Sequence, residues 1–144
     1  HIVGMFAPSF FTGSLIKKFG AVAIIITGIF INLSCIIINL AGNDILNFWM
    51  ALILLGIGWN FMFVSGTTMV TETYQPSEKA IVQGVNDFFV FGSAAFASLL
   101  AGVLQTSIGW EAINFCAIIL LSIAIVALIW YYLVYYYTKK TFTI

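Results

Sequence analysis

Apolar residues run along this chain in five long blocks, and most polar residues are confined to the short stretches between them. The blocks cover about 1–16, 21–41, 47–70, 80–105 and 112–137. Each is close to the ~20 residues that a helix needs to cross a bilayer, and the first reads as incomplete. Lipid offers the backbone no partners, so a spanning segment must be a helix or a strand of a closed barrel. The run AVAIIITGIFINLSCIII at 21–38 shows no alternation of polar and apolar residues, which excludes barrel strands. The pattern predicts an all-α membrane protein with five transmembrane helices.

Composition points the same way. The chain is 62% hydrophobic and 7% charged, where a soluble domain carries about a quarter charged residues. Its surface must largely face the lipid bilayer. With zero net charge and no basic patch, nucleic-acid binding has no electrostatic footprint. Cys35 and Cys116 each sit alone in an apolar block, where a thiol behaves as a small hydrophobe. The sequence has a single His, no metal-ligand spacing, no nucleophile–base–acid set and no GxxxxGK[ST] phosphate loop. It predicts no enzyme, no cofactor and no metal. The chain begins inside an apolar block with His1 and shows no signal-peptide pattern, so it reads as a piece of a larger protein.

The lysines set an orientation. Lys17 and Lys18 follow the first block, Lys79 precedes the fourth, and Lys139 and Lys140 end the last. All five fall on one side of the membrane, and the positive-inside rule assigns that side to the cytoplasm. The carboxyl terminus is then inside and His1 faces outward. Trp130–Tyr137 followed by Lys139 has the form of an interfacial aromatic belt, and Asn43 and Asp44 form a solvated outer turn.

Polar residues inside the blocks are the candidates for function. In the fourth block Asp87 is the only Asp, Glu, Lys or Arg within any apolar run. A carboxylate there is costly and tends to face a bundle interior or a wet path. Gly84, Phe91, Ala94 and Ser98 share its side of a helix, beside a second ladder of Ser93, Ala97 and Ala101. Small residues at this spacing let helices approach closely, so the Asp87 side is expected to be packed. In the third block Trp49, Gly56, Asn60, Thr67 and Thr71 lie along one side, with Gly56 and Gly58 expected to loosen the helix. That stripe is either a packing seam, with Asn60 bonded across it, or a cavity wall. Pro8 should bend the first helix, where His1, Met5, Pro8 and Thr12 project to one side. His1 is either a proton-handling group or a satisfied polar residue. Ser77 is expected to cap the fourth helix. The second block carries no charge, and the last, apolar apart from Asn114 and Ser122, reads as a lipid-facing peripheral helix.

The turn GSLIKKFG at 13–20 resembles the loop signature of the major facilitator superfamily of secondary transporters, roughly G-x-L-x-D-R-x-G. Lys17 stands where the family has its acid, and Ala21 and Val22 replace the trailing basic residues. GMFAPSFFTG, GWN, YQPSEK, QGVND and GW also resemble the carboxyl-terminal half of bacterial members, and together these elements cover nearly the whole chain. The resemblance implies helices eight to twelve of a twelve-helix carrier, an incomplete six-helix carboxyl-terminal domain. Its partners would be the missing amino-terminal half of the same chain and a small-molecule substrate. It implies multi-pass insertion in the cell (inner) membrane, and gradient-driven transport of a small solute by alternating access. Trp49, Asn60 and Thr67 become candidates for substrate binding, and Asp87 and His1 for coupling or gating. The alternative is a membrane structural or assembly subunit without transport activity, whose buried polar groups only fasten helices.

Overall fold

The computed structural model describes residues 1–42 and 44–141, with side chains described as far as Val134; Asn43 thus lies outside. Six helices follow in order: α1 (Ile2–Phe6), α2 (Ser9–Phe19), α3 (Ala21–Ala41), α4 (Ile45–Thr71), α5 (Lys79–Ser107) and α6 (Trp110–Thr141). No strand occurs among the described residues. The protein is an all-α membrane protein: α3, α4, α5 and α6 are each long and apolar enough to span a bilayer. The first block forms α1 and α2, separated at Ala7–Pro8. Both residues keep helical dihedrals, with φ of −58° and −64°. Proline lacks the N–H that would bond the Gly4 carbonyl and its ring crowds that turn. The path therefore bends without leaving the helix.

The connections are short. Gly20, at φ +85°, turns α2 into α3, a backbone region that L side chains rarely adopt. Gly109, at φ +105°, does the same between α5 and α6, its N–H returning 3.0 Å to the Leu104 carbonyl. Glu78, not Ser77, completes the turn before α5: its carboxylate accepts from the Gln75 N–H at 3.2 Å. The expected Ser77 cap is not formed: Glu78 is the residue that flanks α5, and no side-chain bond caps its first turn. Lys17 and Lys18 occupy the last turn of α2, and Lys79 opens α5. The side chains of Tyr135–Tyr137, Lys139 and Lys140 lie outside the described residues.

Helix α4 is central. It packs along α3 on one side and also carries α1 and α2; α6 packs on α3, and α5 on α6. Glycines set the closest approaches. A Cβ on Gly28 would meet the Gly58 carbonyl at 2.9 Å, and one on Gly56 would meet His1 O at 2.6 Å and Gly4 C at 2.8 Å. Helix α4 runs unbroken through Gly56 and Gly58; Gly56 lets the backbone of the first segment reach it, and Gly58 makes room for the Asn32 side chain of α3. Asn32 and Asn39 of the second block also fasten helices: Asn32 Nδ2 lies 3.4 Å from Met62 Sδ of α4, and Asn39 Nδ2 donates to Asn114 Oδ1 of α6 at 3.3 Å.

The expectation of a packed α5 is not met among the described residues. No residue of α5 is buried, and Gly84, Asp87, Phe91, Ala94 and Ser98 are all exposed. A small-residue ladder specifies close approach without supplying the helix that approaches.

Candidate functional site

The polar stripe of α4 meets the bent first segment. Asn60 lies near the middle of α4, is 1% exposed, and its amide is fully engaged. Its Nδ2 donates to the Met5 carbonyl at 2.6 Å and to Ser9 Oγ at 2.7 Å. Its Oδ1 accepts from the Thr12 hydroxyl at 2.8 Å, which also lies 2.8 Å from Pro8 O. The Met5 carbonyl can only accept, so the amide orientation is fixed by its partners. Asn60 thus inserts into the helical ladder at the proline bend, one of the recognised ways a kink is held. The expectation that Asn60 offers this amide to a solute meets a geometry in which both amide hydrogens and the oxygen are already taken up. Asn60 is bonded across the seam between α4 and the first segment.

On the other face of the same segment an open groove of about 680 Å³ runs between α1–α2 and α4, lined by His1, Pro8, Phe11, Phe48, Trp49 and Ile53 among others. Trp49 is 64% exposed and belongs to this wall. His1 Nδ1 lies 3.3 Å from the Leu52 carbonyl; since a carbonyl only accepts, Nδ1 is the protonated nitrogen in that contact. The bend therefore has two working faces. Met5, Ser9 and Thr12 grip Asn60, while Pro8 and Phe11 look into the groove. Trp49 and His1 come together here, and Thr67 does not: it lies half-buried further along α4. Asp87 is separate again, exposed on α5 with the Asn86 amide 3.4 Å from Oδ1. No group of three or more His, Cys, Asp or Glu that can hold a metal occurs among the described residues.

Sequence reasoning missed Ser9 and gave Thr12 no function, although Thr12 is completely buried. Pro8 was the available signal, because an opened turn demands a polar partner. It also missed the fastening of α6: Asn114 is buried, donating to Trp110 O at 3.0 Å while accepting from Asn39.

Residues 1–143 match the family model described as Major Facilitator Superfamily. The chain is 48% identical over 129 residues to the riboflavin transporter RfnT of Brucella anthropi, covering 90% of this chain and 32% of that protein. It is 31% identical to two uncharacterized MFS-type transporters of Bacillus subtilis. These are YddS, over 92% of this chain and 31% of that protein, and YdeG, over 90% and 31%. The chain therefore spans about a third of the length of these relatives. No solved structure gives a significant match.

Proposed function

Since this chain belongs to the Major Facilitator Superfamily, we propose that it forms the carboxyl-terminal part of a secondary carrier for riboflavin or a closely related flavin. The observation that carries the solute is the 48% identity to a riboflavin transporter over nine-tenths of this chain. The five predicted spans are then helices eight to twelve, completed by an amino-terminal half of the same protein. The carrier sits in the cell membrane with its carboxyl terminus in the cytoplasm, as the lysine asymmetry requires. It works by alternating access, driven by a gradient.

Within that reading Trp49 and Thr67 remain candidates for substrate contact, and Asp87 and His1 for coupling or gating. Asn60 is reassigned: it holds the bend that forms one wall of the groove. The test is uptake of labelled riboflavin by a riboflavin-auxotrophic bacterium lacking its own importer, expressing the full-length protein. Saturable accumulation that collapses with an uncoupler supports a gradient-driven flavin carrier. Uptake no greater than in the empty host rejects it.

A further inference from the structure

We infer that the groove between the bent α1–α2 segment and α4 binds the flat ring system of a neutral heteroaromatic solute, with Trp49 and Phe48 as stacking surfaces. The inference rests on the carrier reading above and assigns its solute a place. The groove's volume, about 680 Å³, falls in the range of small-molecule sites. Three aromatic rings, Phe11, Phe48 and Trp49, line it together with Pro8, and no Asp, Glu, Lys or Arg does. Aromatic faces favour a planar π-system in offset or edge contact. A charged solute would lose its hydration there with no partner in return.

One polar group gives the groove a direction. With Nδ1–H of His1 facing the Leu52 carbonyl at 3.3 Å, Nε2 is an acceptor whenever the imidazole is neutral. An acceptor beside stacking rings suits a heterocycle that carries a ring N–H, such as an imide. The walls are also held in place by fixed contacts. Gly4 and Gly56 bring the backbones together at one point, and Asn60 fixes the bend beyond it. A preformed site pays less ordering cost on binding. A lipid chain would also fit an apolar groove, but it has no use for an imidazole acceptor or a stack of rings.

The test uses the full-length protein in detergent, with riboflavin as the probe and quenching of its fluorescence as the binding signal. Wild type should quench saturably, and excess ribitol, which lacks the ring, should not compete. Trp49→Leu and Phe48→Leu should each weaken binding about tenfold or more, as expected for loss of a stacking ring. Trp49→Phe should recover most of it. Ile53→Trp, which narrows the groove and keeps every proposed contact, should also block binding. Thermal unfolding of each variant shows whether it remains folded, as the exposure of Trp49 leads one to expect. Unchanged affinity in Trp49→Leu, Phe48→Leu and Ile53→Trp, with riboflavin uptake intact, would overturn the groove assignment and leave it to lipid. Absence of wild-type uptake and binding would instead reject the carrier reading and this inference with it.

Discussion

The amide nitrogen of Asn60 lies 2.6 Å from the Met5 carbonyl oxygen, across 55 residues of sequence. That bond ties the middle of α4 to the turn opened by Pro8, and Thr12 and Ser9 complete the tie. We predict that Asn60→Ala destabilises the protein by roughly 1–4 kcal/mol. Interhelical polar contacts in membranes average about 0.6 kcal/mol and reach about 1.7, and Asn60 makes three. Thr12→Val, which removes one partner at nearly constant shape, should cost about 0.5–1.5 kcal/mol on the same scale. In the Asn60→Ala background that cost should shrink, because the pair is coupled. Unfolding in detergent of both single variants and the double variant measures the coupling; strictly additive losses would show that the contact carries no energy.

The glycines of α4 make a second, sharper comparison. A Cβ on Gly56 meets three backbone atoms of the first segment at 2.6–2.9 Å, whereas one on Gly66 meets nothing within 4 Å. Backbone cannot rotate aside as a side chain can. We predict that Gly56→Ala costs about 1–3 kcal/mol through displaced α1, despite the better helix propensity of alanine. Gly66→Ala should be neutral or gain up to about 1 kcal/mol. Similar melting temperatures for the two variants would contradict the close approach of α1 and α4.

These two cases show which features a sequence reveals and which it conceals. Helices α3 to α6 were visible because lipid leaves a long apolar run one solution, but the turn read over GSLIKKFG shrinks to Gly20, since α2 stays helical through Phe19. The bend at Pro8 was legible for a local reason. What filled the bend was not, since Asn60 finds Met5, Ser9 and Thr12 only after distant segments dock. The stripe on α4 announced an interface without saying which of its residues would be consumed by packing. Trp49 stayed open while Asn60 did not. The ladder on α5 announced a partner that the described residues do not include.

Orientation rests on the lysines, so it is tested by accessibility. With Cys35 and Cys116 replaced to remove the native thiols, single cysteines at Asp44 and at the exposed Ser107 should react with an impermeant reagent from outside intact cells. Cysteines at Phe19 and Ser77 should react only after permeabilisation. The reverse pattern would invert the topology and the helix numbering that depends on it.

Asp87 brings the carrier reading to its hardest test. It lies about 12 Å along α5 from Lys79, at 1.5 Å per residue, which in the topology proposed above is the inner part of the membrane. Its side chain is exposed on a helix with no buried residue, which means that no packing among the described residues explains a carboxylate there. Two roles remain. As a coupling or gating group it acts through charge, and Asp87→Asn removes the charge at nearly constant shape. The full-length variant should then insert and fold normally while gradient-driven accumulation of riboflavin falls severely. Solute exchange across the membrane should survive if Asp87 carries protons. As a fastener to another helix it acts through a hydrogen bond that asparagine can still make. Even complete loss of such a bond, at about 0.6 kcal/mol on average, is too small to abolish transport. Expression, thermal stability and active uptake of wild type and Asp87→Asn, measured side by side, separate the two. A stable variant with normal accumulation would remove Asp87 from the mechanism.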